Sequence, residues 1–169
     1  MPDENPILRH WQKECTLLHD NVMRLREGIN VEAIHDVRVA IKKIRSYRKL
    51  HAALFDKKEP HKGQTIRELF SVLGRHRNMD IAKTLLISLS GKKLLNSMLI
   101  YLQLLQDQIT PFCKETIDGF SEEPIEKWTL EFNQNLQSLS AVDLTTRAKI
   151  IMAAKLSIIH HRQALWLPS

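Results

Sequence analysis

The sequence predicts an all-α protein, an antiparallel helical bundle made of a four-helix unit followed by two further helices. Apolar residues recur at spacings of three and four along almost the whole chain, which is the period of a helix that buries one face. Glycine and proline are scarce, with 5 and 6 among 169 residues, and this favours long helices over turn-rich β structure. The sequence contains no alternating pattern typical of a strand.

Helix-breaking and helix-capping residues mark the ends of the predicted helices. Gly28 ends the first helix, and Asn30 is a suitable N-cap for the second. Gly91 follows the third helix, and Pro111 is expected to end or kink the fourth before a short resumption over 113–117. The six predicted helices cover residues 6–27, 31–55, 64–88, 92–109, 124–139 and 144–165.

A chain of this length is expected to fold as one domain with a core that needs no covalent staple. We expect residues 1–118 to form the four-helix bundle and residues 119–169 to form two helices packed on it or on a partner subunit. Cys15 and Cys113 are too few and too far apart for a disulfide framework or a zinc site. Without a signal-peptide core or an apolar stretch long enough to span a membrane, a cytoplasmic protein with no membrane partner is expected.

Positive charge is concentrated in one place. The formal net charge is +6, and the segment 36–49 contains six Lys or Arg against one acid, which accounts for five of these charges. The rest of the chain is close to neutral, so the basic character is local and indicates a binding surface for a polyanion.

Helical geometry arranges this charge as a stripe. At about 100° per residue, five side chains of the second helix fall within about 80° of one another. We call these residues the basic stripe: His35, Arg38, Lys42, Arg45 and Lys49. Arg48 projects from within the apolar arc of the helix, and Lys43 points elsewhere. A stripe about 20 Å long, with Arg forks and Lys point charges, suits a linear chain of phosphates.

A solvated helix face is the ordinary alternative for such a run. Solvated helices usually interleave acids with bases, however, and Asp36 is the one acid within this run and lies off the stripe. Histidine is also abundant, with eight residues, but no two are spaced four apart on a helix. No metal site and no cofactor are therefore predicted.

Two segments resemble a known family. His35-Asp-Val-Arg38-Val-Ala-Ile-Lys42-Lys43-Ile-Arg45 resembles the signature helix of the conserved histidine α-helical domain, called the CHAD domain. Leu73-Gly74-Arg75-His76-Arg77-Asn78-Met79-Asp80-Ile81 resembles the family's Leu-Gly-x-x-Arg-Asp-x-Asp-Val segment, with Asn78 in place of the usual Asp. Asp80 is retained and could pair with a neighbouring base.

The resemblance implies a helical bundle that binds inorganic polyphosphate and catalyses no reaction. It implies that the basic stripe faces the ligand together with Arg77, with Arg48 and Arg75 as further candidates. The family typically carries two related bundles, whereas the resemblance covers about residues 5–117, one half. The chain is thus either a truncated member or a half-size form, and two copies could pair as a homodimer to rebuild the family's channel.

Two other kinds of binding module remain open. The basic stripe could neutralise a nucleic-acid backbone, although aromatic residues make up only 6% of the chain and no base-stacking platform is evident. It could also dock an acidic protein. An enzyme of phosphate chemistry is not predicted, because no cluster of acidic metal ligands accompanies the bases.

Overall fold

All regular secondary structure among the described residues is helical. A computed structural model describes residues 6–57, 63–89 and 93–137, together with residues 143, 146, 147 and 149. Its helices are α1 (Pro6–Glu27), α2 (Val31–Leu54), α3 (Gln64–Ser88), α4 (Lys93–Asp118) and α5 (Glu123–Gln137). The all-α prediction is confirmed, and the sixth predicted helix, 144–165, lies almost entirely outside the described residues. No helix in the described ranges is both long and apolar enough to cross a membrane.

The fourth helix differs from the prediction, because it continues through Pro111 to Asp118. Proline lacks the N–H that would bond the carbonyl of Asp107, so the helix loses one bond at this turn. Cys113 and Ile117, two and six residues further on, are both fully buried in the core. Their burial holds the last turns in helical geometry, and a local rule about proline could not anticipate it.

The helices pack as two antiparallel hairpins joined through α2 and α3. In the first hairpin, Lys43 of α2 donates a hydrogen bond of 2.8 Å to Glu14 of α1. In the second, the Cys113 thiol of α4 lies 3.7 Å from the carbonyl oxygen of Val72 of α3. Helix α5 runs back along α1, because Trp11 donates to Thr129 at 2.9 Å and stacks on Phe132 with ring centroids 4.4 Å apart.

The core lies between the hairpins and is continuous. Its fully buried large side chains come from α1, α2, α3 and α4: Trp11, Leu18, Leu25, Ile34, Ile41, Ile44, Leu69, Leu73 and Ile117. For α1 and α2 these are the inward positions of the predicted helical periodicity, so the apolar pattern correctly indicated which face these two helices bury.

Both cysteines are free thiols. Burial raises the pKa of Cys15 to about 12, and burial raises that of Cys113 to about 11. The thiolate is the nucleophilic form of cysteine, so both side chains have low reactivity at neutral pH.

Candidate functional site

Helix α2 separates an apolar face from a cationic one. Its N-terminus is fixed by Asn30, whose side-chain oxygen accepts a hydrogen bond of 2.8 Å from the backbone N–H of Ala33. Val37, Ile41 and Ile44 are fully buried along the inner face. The predicted rotation of the helix is therefore correct, and the basic stripe lies on the side that this core leaves open.

The five residues of the basic stripe differ in exposure. His35, Lys42 and Lys49 are exposed, whereas Arg38 and Arg45 are half-buried. The two arginines lean toward α3, which lies antiparallel beside α2. The surface that carries the positive charge is consequently made by two helices.

Arg38 rests directly on α3. Its Nη1 donates a hydrogen bond of 2.6 Å to the backbone carbonyl of Phe70, and its Cζ lies 4.1 Å from the centroid of the Phe70 ring. Gly74, one turn further along α3, makes room for this contact. A Cβ atom at Gly74 would overlap Nη1 of Arg38 and lie 3.2 Å from its Cζ.

Arg45 contacts the same ring, with its Cζ 4.5 Å from the Phe70 centroid. Burial lowers the pKa of Arg45. Burial also lowers the pKa of Arg38, and the charges of Arg77 and Arg45 lower it further. Arginine stays protonated at any physiological pH, so the site gathers three permanent positive charges.

Most side chains of the cationic surface lack an ion pair with an acid among the described residues. Five of its side chains form no ion pair with a described acid: His35, Arg38, Lys42, Arg45 and Arg77. Lys43, which the sequence placed off the stripe, instead pairs with the buried Glu14. The unpaired positive charge of this surface is thus carried by Arg38, Lys42, Arg45 and Arg77.

One end of the stripe opens into a groove of mixed character between α2 and α3. This groove, of about 500 Å³, is lined by His35 and Arg77, by three carboxylates and by apolar side chains such as Ile81 and Leu85. The carboxylates are Glu32, Asp36 and Asp80. Among the described residues no group of three or more His, Cys, Asp or Glu is placed to hold a metal ion. The basic stripe therefore runs from this mixed groove toward Lys49, and Arg38, Lys42 and Arg45 do not line the groove.

The two additional arginine candidates lie elsewhere. Arg48 is 6% exposed, and its Cζ lies 3.3 Å from the ring centroid of Trp128. Arg75 is exposed, but it lines a second groove between α3 and α4 together with Glu68 and Glu115. Neither side chain joins the surface formed by Arg38, Arg45 and Arg77.

The second resembling segment forms a buried polar network between α3 and α4. His76 is buried, and its Nδ1 lies 3.2 Å from the carboxylate of Asp80. Gln106 of α4 donates a bond of 2.7 Å to the same carboxylate, and Lys83 donates to Gln106. The expected pairing of Asp80 with a neighbouring base is therefore present. Asn78 is exposed and lies outside this network.

Phe70 is the residue of the site that the sequence reasoning missed. The basic stripe lies on α2 alone, whereas the ring that joins Arg38 and Arg45 comes from α3. One signal was available: Phe70, Gly74 and Arg77 are spaced four and three apart and so share a helix face. The spacing within α3 does not give the register of α3 against α2, and that register brings Phe70 to the two arginines.

Comparison with known proteins now adds to this geometry. No curated protein and no solved structure matches the chain. A family model described as CHAD domain matches residues 8–123, a span that contains α2, α3 and α4 and the whole surface described above. Because this match covers more than half of the sequence, the chain belongs to the CHAD domain family.

Proposed function

We propose that this protein binds inorganic polyphosphate on the surface formed by the basic stripe and Arg77, and that it catalyses no reaction on it. The observation that carries the proposal is the group of Arg38, Arg45 and Arg77. Burial and the like charges of Arg77 and Arg45 lower the pKa of Arg38, and none of the three arginines forms an ion pair with a described acid. Holding such charges together is unfavourable unless a polyanion joins them.

The shape of the surface also favours an extended ligand. From His35 to Lys49 the stripe rises about 20 Å along α2, longer than a compact phosphate ester would need. Arginine forks can bind two oxygens of one phosphate, while Lys42 and Lys49 can follow the chain as mobile point charges. Arg48 is omitted from the proposed contacts, because a ligand would reach it only if Trp128 moved away.

Membership of the CHAD family supports the same ligand class and a non-catalytic role. Nucleic acid is the second candidate, since any stripe of this kind attracts phosphate backbones. Phe70 is the aromatic side chain in contact with the stripe arginines, and two guanidinium groups already occupy it. It therefore offers no platform on which a base could stack, which favours polyphosphate over single-stranded nucleic acid.

The test is calorimetric titration at physiological salt with long-chain polyphosphate, single-stranded nucleic acid and duplex nucleic acid of matched charge. Polyphosphate should bind tightest, with an affinity that falls steeply as salt rises. Equal binding to all three would indicate a generic cationic surface. No binding to any would favour a module that docks an acidic protein.

The double variant Arg38→Glu with Arg45→Glu tests by the same titration whether the basic stripe is the binding surface. Each charge-assisted bond contributes about 1.5–3 kcal/mol, so this variant should lose polyphosphate affinity by about 100-fold or more while keeping its helical circular dichroism. Arg9→Glu with Lys13→Glu is the control, because it makes the same change in net charge at exposed positions of α1. Wild-type affinity in the folded stripe variant would contradict the proposal.

A further inference from the structure

We propose that Phe70 is a positioning residue that holds Arg38 and Arg45 together so that both can bind one phosphate chain. The inference rests on the proposed function and deepens it. Both guanidinium carbons lie near one ring centroid, at 4.1 and 4.5 Å, so they are at most 8.6 Å apart, the sum of these distances. Seven residues of helix separate their backbones by about 10.5 Å, so the ring draws the two charges together.

Two different parts of Phe70 hold Arg38. The ring attracts the cation through its π face, and the backbone carbonyl accepts the 2.6 Å bond from Nη1. Gly74 supplies the space in which this guanidinium lies against α3. The Nε atom of Arg38 is buried without a hydrogen-bond partner among the described residues, so these contacts are what fix the group.

The aromatic ring offsets the electrostatic repulsion between the two arginines of the stripe. Two guanidinium groups that lie side by side repel each other, and in the absence of an acid they would swing apart into solvent. The π system of the ring attracts both without neutralising either, so the charges stay close and remain available to an anion. An acidic residue in the same place would also hold the arginines together, but it would compete with the ligand for them.

The consequence for binding is preorganisation. Long side chains that are already ordered lose less freedom when the ligand arrives, so the affinity is higher than the same charges would give on mobile stems. We expect Phe70→Leu, which keeps an apolar side chain and the backbone carbonyl but removes the π face, to weaken polyphosphate binding about tenfold.

The experiment compares four variants of the full chain by calorimetry with long-chain polyphosphate. Phe70→Tyr keeps the π face and should bind within about twofold of the wild type. Gly74→Ala leaves the ring in place but displaces Arg38, and should weaken binding to the same extent as Phe70→Leu. Phe112→Leu is the matched control, because Phe112 is 52% exposed on α4 and lies away from the stripe. Thermal unfolding of each variant establishes that it is folded.

A second readout tests the ring contact without any ligand. Nuclear magnetic resonance of the free protein should show the side-chain signals of Arg38 and Arg45 shifted upfield by the Phe70 ring, and the shifts should vanish in Phe70→Leu. A structural role alone would not separate Phe70→Tyr from Phe70→Leu in both measurements.

The outcomes separate the two proposals. If wild type binds polyphosphate and folded Phe70→Leu binds equally well, Phe70 is not a positioning residue. If the wild type does not bind polyphosphate, the proposed function fails, and the resonance shifts decide the ring contact alone. Unshifted arginine signals in the wild type would overturn the inference whatever the calorimetry gives.

Discussion

Two buried polar side chains of α2 pack against aromatic rings of α5. Arg48 lies over Trp128, and His51 stacks on Phe132 with ring centroids 4.4 Å apart. The sequence placed Arg48 in the apolar arc of α2, and both Arg48 and His51 are buried. It could not name the rings, because Trp128 and Phe132 belong to α5 and their approach depends on how α5 packs. The periodicity of one helix carries no information about that packing.

His51 should make the protein less stable in mild acid. Burial lowers its pKa, the charges of Lys57 and Arg48 lower it further, and Glu131 partly opposes them. Asn135 lies 3.2 Å from Nε2 and can donate to it only while that nitrogen is unprotonated. Since the folded pKa lies below the unfolded one, the unfolded state binds the proton more readily, and stability falls as pH drops from about 7 through about 6.5 toward the folded pKa.

Urea unfolding at a series of pH values between about 7.5 and 5 would test this window. We expect His51→Phe, which can still stack on Phe132, to reduce the loss of stability on acidification relative to the wild type. His10→Gln, at an exposed position of α1, serves as the control and should leave the slope unchanged. An identical pH dependence in His51→Phe and wild type would show that this ring does not control the acid response.

At the scale of elements, the helices were largely predictable and their partners were not. The first three helices have the predicted limits to within one residue, because Gly28 and Asn30 mark a boundary with their own backbone and capping chemistry. The exception is α4, where burial of Cys113 and Ile117 overrides a local signal. The candidate site follows the same division: the α2 cations were visible in the sequence, while Phe70 required the register of α2 against α3.

Pro111 should therefore cost α4 stability that a substitution can restore. It lies inside an intact helix, is exposed, and deprives the carbonyl of Asp107 of its helical bond. Pro111→Ala should stabilise the protein by about 1–3 kcal/mol, measured by urea unfolding, because alanine supplies the N–H and removes the clash with the preceding turn.

The control for this substitution is Thr116→Ala on the same helix. It removes the hydrogen bond that the Thr116 hydroxyl donates to the carbonyl of Phe112, but residue 116 has its backbone N–H before and after the change. It should change stability by only about 0.5 kcal/mol. A destabilised Pro111→Ala would mean that the proline shapes α4 to fit its neighbours and does not merely interrupt it.

At the scale of the whole molecule, exposed apolar side chains are unevenly distributed. Within the described ranges, most of the large exposed ones lie on the end of the α3–α4 hairpin: Ile81, Leu85, Ile87, Leu89, Met98, Ile100, Tyr101 and Leu104. Concentrated apolar surface of this kind favours association. Pairing of two copies of the chain remains a prediction, and this hairpin end is where a substitution would test it.

Light scattering over a range of protein concentrations would test this self-association. We expect the mass to rise from that of one 19.7 kDa chain toward twice this value as concentration increases. Leu85→Glu with Leu104→Glu should keep the chain monomeric, whereas Leu17→Glu with Leu130→Glu, at exposed apolar positions outside the hairpin, should not. A wild-type mass that stays at one chain throughout would contradict self-association.

The two quiet thiols have a practical consequence for all these measurements. Because Cys15 and Cys113 are held protonated, maleimide chemistry near neutral pH should leave both unmodified in the folded protein. Ser46 is exposed on α2, one residue beyond Arg45. A Ser46→Cys variant would thus present a single addressable sulfur beside the stripe, and a fluorophore attached there would report polyanion arrival directly, without removal of either native cysteine.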